Sequence, residues 1–299
     1  MLYDIGLRIT YSYEAPAAGG RHILYMTPAD LPGRQRAITS LLEIAPAPDE
    51  RIARMDFYGN TLVEAAFRAP HASIEFRLRS RVERLDDARR DDRSTSLESL
   101  RREIAAIRSL TPNAPHHFLA DSPRVRVLPE FGGYARSQLA PGTTVFAAVE
   151  AIGKAIDRDM KFDPGATDAH TPPEKAFAAR HGVCQDFSHI MIACLRSIGI
   201  PASYVSGFLR TDPPPGQPRL EGVDAMHAWV RAWCGAGMGW VEYDPTNGIF
   251  AGSDHIVVAY GRDYGDVAPV RGVIRTSGGQ TSAQAVDVSP LPEAGLHIA

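Results

Sequence analysis

Alternating apolar and polar residues mark the first part of the chain as β-sheet. Apolar side chains occupy nearly every second position over residues 3–13 and again over 74–82, which is the period of a strand with one buried face. Three further strands, at 22–26, 36–44 and 55–67, are separated by turns rich in proline and glycine. The pattern predicts a small antiparallel β-sandwich, forming a domain of residues 1–90.

Helical spacing replaces this alternation after a charged segment at 84–93, which we interpret as a solvated connector. Thr95 and Glu98 form a capping box ahead of a helix whose apolar residues share one face. The stretch 111–139 contains several prolines and glycines and is predicted to be irregular. A helix at 143–158 then opens a third unit. We therefore predict a helical or irregular connector over 91–140 and an α+β core over 141–299, whose sheet ends with strands at 256–259 and 286–288.

The segment Gly182-Val183-Cys184-Gln185-Asp186-Phe187 places a thiol where a loop turns into a helix. Gly182 is expected to supply a permissive backbone conformation. At a helix start the dipole and the free backbone N–H groups both favour thiolate, the nucleophilic form of cysteine. Cys194 lies inside the apolar stripe of the same helix, and Cys234 ends a predicted strand. We interpret both of these as structural, whereas Cys184 is a candidate nucleophile.

A histidine and an aspartate follow on two adjacent predicted strands. His227 lies on an alternating run that ends near 234, and a glycine-rich hairpin leads to a second run that ends at Asp244. Antiparallel pairing can bring the two side chains together, and a carboxylate beside an imidazole fixes its tautomer. Taken singly, His227 could be structural, and Asp244 could be a turn residue ahead of Pro245.

Two other histidines near Cys184 are weaker candidates. His181 is best interpreted as a loop residue, and His189 lies roughly 140° around the helix from Cys184. Asp263 and Tyr264 could line the cleft or lock the last strands. The proline- and glycine-rich segment 209–222 is expected to overhang the site.

Together these segments resemble the transglutaminase-like superfamily, whose core is similar to that of papain-type cysteine peptidases. The resemblance is carried by the cysteine segment above, by His227-Ala228-Trp229-Val230 and by Gly239-Trp240-Val241-Glu242-Tyr243-Asp244-Pro245. The early Asp56-Phe57-Tyr58-Gly59-Asn60 also resembles the N-terminal region of bacterial members. The resemblance implies a catalytic helix packed on an antiparallel sheet, with Cys184 as nucleophile, His227 as general base and acid, and Asp244 as orienting carboxylate.

The reaction implied by the resemblance is acyl transfer through a thioester, with either water or an amine as acceptor. The backbone N–H of Cys184 is a candidate oxyanion donor. No second donor is identified, because all three tryptophans lie after Cys184, unlike in better-known transglutaminases. Peptidase, amidase and transglutaminase activities therefore stay open, and a catalytically silent binding scaffold is the alternative.

Composition agrees with an ordinary soluble enzyme, and the resemblance implies a protein or peptide substrate. The 299 residues are 44% hydrophobic, with a net charge of −3, which gives no reason to expect a nucleic-acid partner. No apolar run has membrane-spanning length. Three cysteines without ligand spacing argue against zinc or a disulfide framework, so no cofactor is expected. The absence of a visible secretory signal favours a cytoplasmic location.

Overall fold

The computed structural model describes residues 1–85, 91–211 and 226–291. Most of the segment 209–222 and part of the charged connector at 84–93 therefore lie outside the described residues. The α+β class is confirmed. Within the described ranges, no helix combines the length and apolar character needed to cross a membrane.

The elements follow one another in this order. The strands are β1 (Leu2–Leu24), β2 (Gln35–Ala45), β3 (Glu50–Met55), β4 (Thr61–Phe67), β5 (His71–Arg84), β6 (Lys161–Phe162), β7 (His181–Gly182), β8 (Ala202–Leu209), β9 (Met226–Trp233), β10 (Trp240–Asp244), β11 (Ile249–Phe250), β12 (His255–Gly261), β13 (Val270–Arg275) and β14 (Gln280–Leu291). The helices are α1 (Leu97–Ala106), a 3-10 helix (Pro115–Phe118), α2 (Pro129–Ser137), α3 (Val145–Asp159), α4 (Pro173–Ala179), α5 (Cys184–Ser197) and α6 (Tyr264–Val267).

The N-terminal sheet is antiparallel and is built around β1, in the order β2-β5-β1-β4-β3. The first half of β1 lies between β5 and β14, and its second half pairs with β4 and β13. Tyr3, Ile5 and Leu7 are buried along β1, as the alternation predicts. The strand therefore links two halves of one bent sheet.

Two predicted strands of this sheet have different bounds in the structure. Residues 22–26 do not start a new strand, because β1 continues through the proline- and glycine-rich stretch with a positive φ at Gly19 and an irregular pairing register. Residues 55–67 do not form one strand, because a turn separates β3 from β4. In that turn the Asn60 N–H donates to Asp56 Oδ1 at 2.9 Å, and Gly59 adopts φ +83°. Gly19 therefore marks a bend within one continuous strand, whereas Gly59 marks a turn between two strands.

The helices also differ in detail from their sequence predictions. Helix α1 is capped by Ser96 rather than Thr95, with Ser96 Oγ accepting the Ser99 N–H at 3.3 Å. The stretch 111–139 contains α2 as well as the 3-10 helix. Buried Phe131 holds α2 against the core despite two adjacent glycines, because tertiary packing overrides weak helix propensity.

The core sheet is antiparallel, with the order β11-β10-β9-β8-β12. Helix α5 is buried along most of its length and packs on this sheet, where Ala228 and Val230 of β9 share an apolar cluster with Ile190 of α5. The implied arrangement of a catalytic helix on an antiparallel sheet is therefore present.

One of the two strands expected to finish the core sheet does so, since residues 256–259 lie in β12 at the edge of that sheet. Residues 286–288 do form a strand, but Val286 and Val288 lie opposite Leu7 and Ile5 of β1, so the expected pairing was wrong. Alternation shows which face of a strand is buried, and it does not identify the neighbouring strand.

Two buried amide side chains of the N-terminal sheet cover the edge of the core sheet. Gln35 accepts the Val257 N–H and donates to the Val257 carbonyl, both at 2.8 Å. Asn60 does the same with Tyr260 of β12, again at 2.8 Å. These paired hydrogen bonds satisfy backbone N–H and C=O groups on the edge strand β12, which an additional strand would otherwise bind. They also fix the N-terminal sheet on the core.

Candidate active site

Cys184 is the first residue of α5, and its side chain is partly exposed. Cys194 and Cys234 are fully buried, and burial raises the pKa of the Cys194 thiol. Of the three thiols, Cys184 alone is both accessible and placed at a helix start.

The approach to α5 is held by a buried carboxylate. Asp186 Oδ2 accepts the Val183 N–H at 2.8 Å and the Thr167 hydroxyl at 2.6 Å. Gly182 is required here for space, because a Cβ at this position would lie 2.6 Å from the same oxygen. The left-handed conformation predicted for Gly182 is instead adopted by Arg180, with φ +59°. The cysteine segment therefore depends on close packing of Gly182 against Asp186.

His227 lies at the start of β9, and Asp244 ends the neighbouring strand β10. His227 Nε2 lies 2.7 Å from Asp244 Oδ2. The Cys184 side chain interacts with the same imidazole and raises its pKa. The three residues predicted as catalytic are thus brought together in one connected chain, although their catalytic roles stay predictions.

Asp244 is the centre of a larger hydrogen-bond network. Its Oδ2 also accepts from Asn247 Nδ2 at 2.7 Å and from His255 Nε2 at 3.1 Å. Its Oδ1 accepts the backbone N–H groups of Thr246 and Asn247 at 2.9 and 3.3 Å. The side chain is fully buried, so these five bonds hold the carboxylate in one orientation toward His227.

These contacts assign the tautomers. His255 Nδ1 accepts the Gly252 N–H at 3.2 Å, so neutral His255 carries its proton on Nε2 and donates it to Asp244. An ionised Asp244 accepts only, so His227 must also donate through Nε2. The other nitrogen of His227, Nδ1, is then the one that faces Cys184.

The same contacts shift the ionisation of the pair. Burial alone would raise the pKa of Asp244, but its hydrogen bonds with His227 and His255 hold that pKa well below its usual range. Burial alone would lower the pKa of His227, but its bonds with Asp244 and Cys184 raise it to about 10. His227 is therefore a cation at neutral pH, and a cation beside a sulfur favours thiolate.

A second buried network of hydrogen bonds supports the imidazole of His227 through Trp229. The ring of Trp229 lies 6.1 Å from that of His227, at an interplanar angle of 29°. The Trp229 indole N–H donates to Glu242 at 2.8 Å. Glu242 also accepts from Arg34 at 2.7 Å and from the Tyr260 hydroxyl at 2.9 Å. The N-terminal sheet thus contributes Arg34 to the support of the candidate active site.

His227, Asp244 and His255 are also the one set of histidine, cysteine and acidic side chains in the described chain that could hold a metal ion. Their geometry is that of hydrogen bonds. The Asp244 oxygen shared by both histidines also accepts from Asn247, which leaves it saturated with N–H donors. The arrangement fits a catalytic carboxylate better than a metal ligand.

The other sequence candidates lie outside this network. His189 Nε2 accepts the Tyr264 N–H at 3.1 Å, and burial lowers its pKa to about 3, so it is neutral and structural. Asp263 accepts the backbone N–H groups of Gly265 and Arg124, both at 2.8 Å. His181 lies in the short strand β7. Asp263 therefore fixes a turn beside the site.

The assignment of oxyanion donors stays a prediction. The Cys184 N–H, in the first turn of α5, has no acceptor within the helix. The indole N–H groups of Trp229 and Trp240 donate to Glu242 and to the Asn113 carbonyl, so neither supplies a second donor. Gln185 directs its amide toward the Ala169 carbonyl at 3.4 Å.

Sequence reasoning missed His255, Asn247 and Glu242. Asn247 belongs to the turn that follows Asp244, so its signal was present but was interpreted only as turn chemistry. Glu242 alternates with Asp244 on a buried strand, and an acidic residue at a buried position is a signal for a partner. His255 has no local signal, since it begins a separate strand, β12.

Comparison with known proteins agrees with this geometry. Residues 133–245 match the transglutaminase-like superfamily, and residues 3–83 match the bacterial transglutaminase-like N-terminal region. The chain is 33% identical over 300 residues to the uncharacterized protein Rv2569c of Mycobacterium tuberculosis, covering 99% of this chain and 95% of the relative. It is 32% identical over 285 residues to ML0607 of Mycobacterium leprae, covering 94% of this chain and 96% of the relative.

This chain belongs to the transglutaminase-like superfamily. A solved structure, the "Putative Cysteine Protease from Cytophaga hutchinsonii", covers 98% of the chain and 91% of its own length, with a TM-score of 0.73 and 21% identity. At that identity the likeness concerns the fold alone. It extends over both the N-terminal sheet and the core.

Proposed function

We propose that the protein is a cysteine-dependent acyl-transfer enzyme that attacks an amide carbonyl in a protein or peptide. The observation that carries the proposal is the unbroken chain from the Cys184 thiol through His227 to Asp244. The Cys184 thiol is partly exposed at a helix start, and the Asp244 carboxylate is fixed by five hydrogen bonds. Other carboxylates of this protein, such as Asp263, are buried for structural reasons, so what favours catalysis at Asp244 is the accessible thiol beside the histidine that it holds.

The first half of the reaction forms a thioester. The Cys184 thiolate attacks the amide carbon, and the Cys184 N–H donates to the developing oxyanion, an interaction worth about 3 kcal/mol for one good donor. His227 then gives its proton to the departing amine as the carbon–nitrogen bond breaks. Asp244 stays ionised throughout and holds the imidazole in position.

The second half regenerates the thiol. Neutral His227 takes a proton from water or from a primary amine, which attacks the thioester carbonyl. The carbon–sulfur bond breaks, and the Cys184 thiolate leaves beside imidazolium. Water as acceptor gives hydrolysis or deamidation, and an amine gives a crosslink.

Alkylation of the thiols tests the catalytic pair without a known substrate. At about pH 6, where an ordinary thiol is protonated, iodoacetamide should modify Cys184 and leave Cys194 and Cys234 intact, as mapped by mass spectrometry. His227→Ala should slow the modification of Cys184 about tenfold or more, because the adjacent cation is lost. His181→Ala is the matched control and should leave the rate unchanged. Equal inertness of all three thiols, or no effect of His227→Ala, contradicts the proposal.

A glutaminyl peptide offered with and without excess primary amine identifies the acceptor. Ammonia release without amine incorporation assigns hydrolysis, and incorporation assigns crosslinking. No turnover of any amide by a protein whose Cys184 is reactive would favour the scaffold alternative. A cytoplasmic location extends the proposal, since a free thiolate is best protected from oxidation there.

A further inference from the structure

A cavity of about 370 Å³ lies between the N-terminal sheet and the α6 turn. Two of its lining residues contact helix α5, which begins with Cys184. Tyr264, one of its lining residues, donates its backbone N–H to His189 of α5, and Ala169, another, accepts from Gln185, the neighbour of Cys184. Burial raises the pKa of Tyr264, Arg124 lowers it, and Cys184 raises it, which is consistent with a phenol close to the thiol. The cavity therefore adjoins the helix that carries Cys184.

Two arginines converge at one point of the cavity wall. Arg271 Nη1 donates to the Gly265 carbonyl at 2.7 Å. Arg124 also lies against Gly265, because a Cβ added at Gly265 would be 3.6 Å from Arg124 Nε. The guanidinium carbon of Arg124 lies 5.6 Å from the centre of the Tyr264 ring. Each side chain has one hydrogen bond to a carbonyl, Arg124 to Ala169 and Arg271 to Gly265. A guanidinium has five N–H donors, so most donors of both remain available.

No described carboxylate forms an ion pair with either arginine. Asp263 accepts backbone N–H groups, and Asp266 pairs with Arg262 at 2.9 Å, while the charge of Arg271 also lowers the pKa of Asp266. Among the residues that line the cavity none is acidic.

Three of the remaining polar side chains of the wall are phenols, and the others are His22, His170 and Gln280. Tyr11 and Tyr13 line the cavity beside Tyr264. Burial, together with Tyr264 and Tyr13, raises the pKa of Tyr11 to about 12, so this hydroxyl stays protonated and can donate. Burial lowers the pKa of His22, which also lines the wall, to about 4, so the permanent positive charges of the wall are those of the two arginines.

We propose that this cavity is a substrate subsite that binds the side-chain carboxylate of an acidic peptide through Arg124 and Arg271. The charge complementarity and the excess of donors favour a carboxylate, and the tyrosine rings favour a chain that also presents apolar atoms. The proposal rests on the proposed function, because it takes the bound peptide to be the acyl donor.

Binding to the Cys184→Ala protein tests the subsite without turnover. The probes are short peptides, capped at both ends, with glutamine at the centre and one flanking alanine replaced in turn by Glu or by isosteric Gln. At one position the Glu peptide should bind about tenfold more tightly than its Gln counterpart. Raising the salt concentration should weaken the Glu peptide alone.

Added Arg124→Gln and Arg271→Gln substitutions should abolish this preference, and Arg102→Gln, on the exposed face of α1, should retain it. The comparison of salt concentrations uses a protein with both arginines in place. It therefore tests carboxylate binding even if the variant that lacks Arg124 and Arg271 does not fold. The subsite is refuted if Glu is never preferred, or if the preference survives loss of both arginines. If the protein turns over an amide but shows no preference for the Glu peptide, the subsite alone is refuted. If it prefers the Glu peptide but turns over no amide, the acyl-transfer function alone is refuted.

Discussion

Glu242→Gln is predicted to remove a defined part of the acid sensitivity of folding. Glu242 is 4% exposed, and it accepts hydrogen bonds from Arg34 and from the Trp229 indole. Burial alone would raise its pKa. The charge of Arg34 and these two bonds outweigh burial and lower the pKa from 4.5 to about 2.

The size and sign of the effect follow from this shift. One pKa unit corresponds to about 1.4 kcal/mol, so ionised Glu242 stabilises the folded state by about 3 kcal/mol relative to a freely titrating side chain. Because the pKa is lower in the folded protein, the unfolded chain binds the proton more readily. The contribution is complete above pH 4.5, and it is lost as the pH falls toward 2.

Urea denaturation between about pH 6 and pH 2 measures this contribution. The natural protein should lose about 3 kcal/mol more unfolding free energy across that range than Glu242→Gln does. Glu50→Gln is the matched control, because Glu50 pairs with Arg68 at 2.6 Å while 45% of its side chain is exposed, and exposed pairs contribute little. Identical pH dependence in the natural protein and in Glu242→Gln would refute the reasoning.

Three further predictions concern the site itself. The imidazole of His227 should titrate at about pH 10 by NMR. In Cys184→Ala it should titrate at lower pH, because the interaction with Cys184 that raises its pKa is lost. An unchanged pKa of His227 in the variant would contradict this role of Cys184. Gly182→Ala should destabilise the protein by about 1–3 kcal/mol in urea, because its methyl would lie 2.6 Å from Asp186 Oδ2; a variant of equal stability would show that the packing is loose. His255→Ala should lower kcat about tenfold with little change in KM, since a bond to a charged group is worth about 1.5–3 kcal/mol; a change in KM alone would assign His255 to binding.

The three catalytic candidates could be predicted because the signal of each is local. Cys184 follows a glycine and opens an apolar helical stripe, and His227 and Asp244 lie on two strands joined by a short hairpin. A hairpin makes antiparallel neighbours of its two strands, so proximity of the second pair follows from the sequence. The distance of 2.7 Å between His227 and Asp244 agrees with that inference.

Two other features could not be predicted, because no local turn joins the strands that they bring together. His255 reaches Asp244 only after β12 has paired with β8 across the sheet. Strand β14 reaches β1 from the opposite end of the chain. In both cases the residue pattern shows that a strand is buried, while the choice of neighbour is set by the packing of the whole sheet.

One short segment of the N-terminal sheet carries two of these distant contacts. Arg34 pairs with buried Glu242, and the next residue, Gln35, satisfies the edge of β12. Without Arg34 the carboxylate that accepts from the Trp229 indole would be a buried charge lacking its ion-pair partner, which is strongly destabilising. Trp229 in turn packs on His227. The N-terminal sheet therefore belongs to the support of the candidate active site, and we expect the two parts to need each other for the triad to form.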